Sequence, residues 1–129
     1  MTLAVTPLYA GLLTLVYLVL SARVIRYRRA NIISLGDRDD KALLKRARAH
    51  ANLIEYAPLG LILMLLAELQ GAPATAVHLM GLALLLGRVM HAVGLSQTPQ
   101  IMVLRVGGMI LTLTMLLLSA LGLIGHAIL

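Results

Sequence analysis

The sequence predicts an all-α membrane protein, a single domain of four transmembrane helices arranged as an up-down bundle. Three observations predict this class: 60% of the 129 residues are hydrophobic, only 12% are charged, and the mean hydropathy is +0.96. Soluble globular domains are about 45–50% apolar and about 25% charged, so both fractions depart in the direction of a membrane protein. The composition argues against a soluble enzyme, a disordered tail or a nucleic-acid-binding module, in spite of the net charge of +6.

Four apolar segments are each long enough to cross a bilayer, which takes about 20 helical residues. The predicted spans are 3–22, 43–69, 74–95 and 101–127. Residues 1–10 contain no Lys or Arg and therefore lack the basic start of a signal peptide, so we expect the first span to stay as a membrane helix. The Asp residues before the second span can cap it, and turns at 70–73 and 96–99 separate the last three spans. Because these turns are short, consecutive helices are expected to be antiparallel.

The positive charge is concentrated in one stretch of the chain. Residues 23–48 contain nine of the eleven basic residues and three of the five acidic ones, which leaves the whole net charge of +6 in this stretch. Six of these nine basic residues, and all three acidic ones, belong to the predicted loop 23–42. The positive-inside rule places this loop in the cytoplasm, with both termini and the 70–73 turn on the opposite side of the membrane.

Polar side chains inside the spans form a second pattern. In the second span they recur every three or four residues and so share one helix face, and the next two spans add others at the same cytoplasmic depth. These residues are Lys45, Arg48, Asn52, Glu55, Arg88, His91 and Arg105. A charge in the middle of the bilayer costs about 2.5–3.5 kcal/mol on insertion scales, so these groups should face protein or water. Their convergence predicts a polar site between the helices.

Two interpretations of this site stay open. In the structural one, Glu55 and Arg88 form an ion pair that holds the bundle together, and other Arg side chains extend to the headgroups. In the functional one, pairing of Glu55 with Arg88 leaves Arg48 and Arg105 free to grip the carboxylates of an anionic ligand. A nearby Arg also favours a thiolate over a thiol. Because the chain contains no Cys, any such thiol must come with the ligand.

The histidines give a weaker signal. His50 lies in the same span as Glu55, and with His91 these residues suggest a metal site, but the spacing is not typical of one. We therefore predict no metal. His78 and His126 are expected near the opposite side of the membrane, in structural roles.

The segment Arg48-Ala49-His50-Ala51-Asn52-Leu53-Ile54-Glu55-Tyr56-Ala57-Pro58 resembles the helix 2 signature of the MAPEG superfamily, membrane-associated proteins in eicosanoid and glutathione metabolism. The preceding basic stretch, Arg88-Val89-Met90-His91 and Arg105 also fall where that family has such residues. The resemblance covers nearly the whole chain. It is closest to small bacterial inner-membrane members of the superfamily that resemble microsomal glutathione transferase.

The resemblance implies a homotrimer in the bacterial inner membrane, with glutathione bound as co-substrate between neighbouring subunits on the cytoplasmic side. Carried over by position, the residues expected to bind glutathione are Arg26, Asn52, Glu55, His91 and Arg105. Arg105 is also the implied catalytic residue, because it would stabilise the thiolate. Arg48 and Arg88 are implied to support the site by ion pairing.

The sequence departs from some eukaryotic members at four positions. Ala51 stands where those members have an Arg, and Leu95, Val106 and Met109 stand where they have Tyr, Ser and Tyr near the thiol. Two functions therefore stay open. One is a glutathione transferase or peroxidase-like protein that attacks lipophilic electrophiles. The other is a non-catalytic membrane module that binds a lipid or another amphiphile, or scaffolds a partner. A small transporter is less favoured, because the chain lacks inverted repeats.

Overall fold

Four long helices make up the computed structural model, which describes residues 2–129. They are α1 (Val5–Asn31), α2 (Lys41–Leu69), α3 (Ala74–Ser96) and α4 (Met102–Ile128). Each is long and apolar enough to cross a membrane, and no strand occurs in residues 2–129. The predicted class, an all-α bundle of four membrane-spanning helices, is confirmed.

The first helix extends well beyond the predicted span. It continues from residue 22 to Asn31, so the first half of the predicted basic loop 23–42 is helical and the connection to α2 is only 32–40. The helix ends where Ile32 adopts a left-handed conformation and the N–H of Ile33 donates to the carbonyl of Arg28 at 3.0 Å. Arg28 and Arg29 lie in the last turn, where the negative end of the helix dipole favours cations. Hydropathy therefore marks the end of the apolar segment and not the end of the helix.

Asp40 fixes the start of the second helix, as the Asp cluster predicts. Its Oδ1 accepts hydrogen bonds from the N–H groups of Ala42 and Leu43 at 2.9 and 3.1 Å. The hydroxyl of Tyr27 donates to Asp40 Oδ2 at 2.7 Å, which ties the end of α1 to the start of α2. This hydroxyl, followed by the N–H of Leu43, holds the pKa of Asp40 below its ordinary value.

The four helices are not equivalent in their packing. Helix α3 packs most extensively on α4, and both also contact α2, whereas α1 contacts α2 and α3. In the described residues α1 and α4 do not contact each other. The most completely buried apolar side chains, which lie between the helices, are Leu43, Met64, Val77 and Leu84. One side of the bundle is therefore formed by α2, α3 and α4 alone.

Glycines bring α3 and α4 into backbone contact near one end. A Cβ on Gly94 would lie 2.5 Å from the backbone nitrogen of Arg105, and one on Gly108 would lie 2.6 Å from the backbone nitrogen of His91. Small residues allow membrane helices to approach this closely. The contact fixes the position of the first turns of α4 against the last turns of α3.

At the other end of the bundle Glu68 caps α1. Its carboxylate accepts hydrogen bonds from the N–H groups of Ala4, Val5 and Thr6 at 3.1, 2.9 and 2.8 Å. The positive end of a helix dipole favours such a group. Nearby, His78 and the hydroxyl of Tyr9 form a hydrogen bond of 3.0 Å between α3 and α1.

Candidate functional site

A groove of about 370 Å³ lies between α2 and α4, on the side of the bundle that α1 does not cover. Its lining residues are Arg48, Asn52, His91, Leu95, Arg105, Val106, Met109 and Ile110. Asn52, His91 and Leu95 are buried and form its deep part, whereas Arg48 is exposed at its edge. The structure thus brings together four of the predicted site residues, which come from three different helices.

Arg88 lies behind the groove and is only 2% exposed. Its Nη1 donates to Asn52 Oδ1, and its Nε donates to Thr112 Oγ1 at 2.9 Å. Its guanidinium also lies 4.8 Å from the ring centre of Tyr56, and Met109 sulfur accepts from Nη2 at 3.7 Å. All of these partners are neutral, so Arg88 brings an uncompensated positive charge close to the groove.

The predicted ion pair between Glu55 and Arg88 is wrong. Glu55 pairs instead with Arg48, two helical turns earlier on α2, with Oε1 and Nη2 3.1 Å apart. Both side chains are about half exposed, a situation in which ion pairs contribute about 0–1 kcal/mol. Arg48 is therefore not the free cation that the sequence suggested, and Arg88 supports the site through neutral hydrogen bonds rather than through an ion pair.

The contact with Arg88 orients the amide of Asn52. Because Asn52 Oδ1 accepts from the guanidinium, its NH₂ group is the part left to donate to another group. Asn52 lines the groove, so this donor can serve a ligand there. By engaging the amide oxygen, Arg88 leaves Asn52 with only hydrogen-bond donors for a ligand.

Besides Asn52, two residues of the groove carry free polar groups, namely Arg105 and His91. Arg105 lies in the first turn of α4 and donates from Nη1 to Gln100 Oε1 at 2.6 Å, and no carboxylate within residues 2–129 pairs with it. His91 is buried, and its ring makes no hydrogen bond to a side chain in the described part of the chain. Donors from both residues are therefore available to a ligand.

Two predicted ligand-binding residues do not line the groove of their own chain. Glu55 contributes only through its pair with Arg48. Arg26 lies exposed on α1, which does not contact α4. His50 also faces away, since its Nε2 bonds with Ser21 Oγ at 2.9 Å and its ring stacks on Tyr17 of α1. In residues 2–129, no cluster of three potential metal-binding side chains occurs.

Several residues of the site were not predicted from the sequence. Thr112 and Tyr56 hold Arg88, and Gln100 holds the Arg105 side chain. A Thr in an apolar span and a Tyr beside polar residues of the same helix are too common to indicate these roles. Leu95, Val106 and Met109, the positions where some eukaryotic relatives of the resembled family have hydroxyls, do line the groove.

The charges around the groove favour an anionic ligand. Three arginines lie in or behind it, namely Arg48, Arg88 and Arg105, and one carboxylate, Glu55, compensates one of them. Arg105 keeps guanidinium N–H groups that match carboxylate geometry. Arg88 adds positive charge from behind the groove, but its nitrogens are already engaged by other side chains. The site is therefore typical of one that binds a small molecule with carboxylate groups.

The fold and the groove define a class, an integral membrane protein of four helices with a cationic site between them. Comparison with known proteins gives the family. The sequence model of the MAPEG family matches residues 6–125. The "Inner membrane protein YecN" of Escherichia coli strain K12 and that of E. coli O6:H1 are each 39% identical over 90 residues, which cover 70% of this chain and 69% of the relative. No solved structure matches the chain. The chain belongs to the MAPEG family and is an integral inner-membrane protein.

Proposed function

We propose that this protein is a membrane glutathione transferase or peroxidase-like protein that binds glutathione in the groove between α2 and α4. The observation that carries the proposal is the excess of positive charge around a groove that offers free hydrogen-bond donors, in a member of this family. Glutathione carries two carboxylates and a thiol, and its amide groups suit Asn52 and His91. The family resemblance supports a reaction of the thiol, and the positive charge of the groove supports an anionic ligand.

In this proposal Arg105 is the catalytic residue. Its guanidinium stabilises the thiolate of glutathione, because a positive charge close to a thiol lowers the free energy of the ionised form. The thiol proton passes to water, and the thiolate sulfur then attacks an electrophilic carbon. With an aryl halide, the new carbon–sulfur bond replaces the carbon–halogen bond and the halide ion leaves.

Arg26 takes part only if a second chain is present. The resemblance implies that glutathione binds between neighbouring subunits, and Arg26 does not line the groove of its own chain. We therefore propose a homotrimer in which α1 of one subunit brings Arg26 to the groove of the next. The large apolar side chains exposed along α4, such as Val103 and Ile110, suit burial against another copy or against lipid.

We also propose that the groove opens towards the cytoplasm. Arg48 and Arg105 lie at the end of the bundle that carries the basic connection between α1 and α2. The positive-inside rule places such a stretch in the cytoplasm.

The proposal is tested by glutathione conjugation to chlorodinitrobenzene by the purified protein. We expect Arg105→Ala to lower kcat/KM by about 100-fold, the effect of removing one donor that stabilises a developing anion. The matched control is Arg29→Ala, which removes the same charge from the exposed end of α1 and should leave kcat/KM almost unchanged. Equal turnover in the wild type and in Arg105→Ala contradicts the catalytic role of Arg105.

A second function, a non-catalytic module that binds an amphiphile, is favoured by one observation. Leu95, Val106 and Met109 leave the groove without the hydroxyls that some relatives place near the thiol, and the hydroxyl of Thr112 is already engaged by Arg88. A thermal shift experiment separates the two functions. Stabilisation by millimolar glutathione favours the transferase, and its absence favours the module.

A further inference from the structure

A second cavity, of about 580 Å³, lies at the opposite end of the bundle from the groove. It lies between α3 and α4 and reaches the turn after α2, where Gly71, Ala72 and Pro73 form part of its wall. It shares no lining residue with the groove. Its volume lies within the range of about 300–1,000 Å³ that small-molecule sites occupy.

The cavity lies beyond the close backbone contact between α3 and α4. The glycine contact at Gly87, Gly94 and Gly108 closes the space between the helices on the groove side. Beyond it, small side chains such as Ala76, Ala83 and Gly122 line the space and do not fill it. A Cβ on Gly122 would meet no atom within 4 Å.

The wall is mostly apolar along its length and polar at its mouth. Gln70, the C-cap of α2, and His126, in the last turn of α4, lie at the ends of their helices. Deeper in the wall, Ser119 is only 9% exposed and its hydroxyl has no hydrogen-bond partner in the described residues. No Asp, Glu, Lys or Arg lines the cavity.

The cavity is long enough for a hydrocarbon chain. At 1.5 Å per residue its α3 wall rises roughly 15 Å from Pro73 to Ala83, and its α4 wall rises roughly 22 Å from Leu111 to His126. Both lengths fit within a bilayer core of about 30 Å. Water in such an apolar space would lack hydrogen-bond partners, whereas hydrocarbon is as apolar as the wall.

We propose that this cavity is a binding site for a single-chain amphiphile of the leaflet away from the groove, such as a fatty acid. Its hydrocarbon chain lies between α3 and α4, and its polar end lies at Gln70 and His126. The hydroxyl of Ser119 lies beside this hydrocarbon chain and can form a hydrogen bond with a polar substituent on it. This site is independent of the proposed glutathione site.

The test is titration of the purified, delipidated full-length protein with parinaric acid, a fatty acid that fluoresces when bound. We expect saturable binding that millimolar glutathione does not displace, so the result stands whether or not the groove binds glutathione. Gly122→Leu places a side chain in the cavity and should weaken binding by at least about tenfold. Gly125→Leu is the matched control, since its new Cβ also meets no atom within 4 Å and Gly125 does not line the cavity.

Two results overturn the proposal. One is equal binding of parinaric acid by the wild type and by Gly122→Leu, when circular dichroism shows that the variant is folded. The other is a change in the mass of the assembly in Gly122→Leu and not in Gly125→Leu, because a second copy of the chain would then be the occupant of the cavity.

Discussion

The buried guanidinium of Arg88 and its hydrogen bond to Thr112 should contribute measurably to the stability of the bundle. Thr112 accepts its Nε–H at 2.9 Å, and both groups are fully buried. Thr112→Val preserves the shape of the side chain but leaves that N–H without a partner. A hydrogen bond to a charged group contributes about 1.5–3 kcal/mol, so we expect the free energy of unfolding to fall by about this amount.

The same substitution should cost much less when the charge is absent. In an Arg88→Met background the Thr112 hydroxyl has no buried cation to satisfy, and Thr112→Val should cost less than about 0.5 kcal/mol. The double-mutant cycle then gives a coupling energy of at least about 1 kcal/mol. The assay is unfolding in mixed micelles with increasing sodium dodecyl sulfate, followed by circular dichroism.

Thr114→Val is the control for this cycle. Thr114 is exposed two residues further along α4 and makes no hydrogen bond with Arg88, so its substitution should have the same effect in both backgrounds. If Thr112→Val and Arg88→Met are additive within about 0.5 kcal/mol, Thr112 does not hold the guanidinium and the description of the site is wrong.

Three further predictions follow from the helix contacts. Gly94→Ala should destabilise the bundle by about 1–3 kcal/mol in the same assay, because its Cβ would meet the backbone of α4. Gly122→Ala should stabilise the bundle by about 0.5–1 kcal/mol, because its Cβ meets no atom within 4 Å and Ala favours the helix over Gly. Equal effects of the two substitutions would contradict the backbone contact at Gly94. Glu68→Ala should cost about 0.5–2 kcal/mol and speed amide exchange in the first turn of α1, since three N–H groups lose their acceptor; unchanged exchange would argue against the cap. Because the pKa of Asp40 is lowered in the folded protein, ionised Asp40 stabilises the fold fully above its unfolded-state pKa, and this stabilisation is lost as the pH falls through the lower folded-state pKa. Tyr27→Phe should raise the Asp40 pKa in a carboxyl NMR titration. An unchanged pKa would show that the Tyr27 hydroxyl does not lower it.

The sequence was sufficient for the helices because bilayer crossing imposes simple requirements on length and apolarity. It misplaced the end of α1, because residues beyond the bilayer continue a helix without being apolar. Arg28 and Arg29 suit the C-terminal end of the dipole, so the basic stretch that was predicted as a loop is in large part helical.

The sequence was enough to predict where the candidate site lies, but not which side chains contact one another in it. Helical spacing alone brings Arg48 and Asn52 to one face, and antiparallel helices put His91 and Arg105 at the same depth. Spacing does not determine which partner a long side chain selects, so Glu55 was assigned to the wrong arginine. The groove itself depends on α1 leaving one side of the bundle open, which no local pattern indicates.

The central claim is that the groove between α2 and α4 binds glutathione, and calorimetric titration of the detergent-purified protein tests it most directly. The mass of the assembly, measured in the same preparation, shows whether the sites belong to a trimer. We predict saturable binding by the wild type and by Arg29→Ala, and binding weakened by at least about tenfold in Arg105→Ala. No heat of binding at millimolar glutathione, or equal affinity in all three proteins, would contradict the claim.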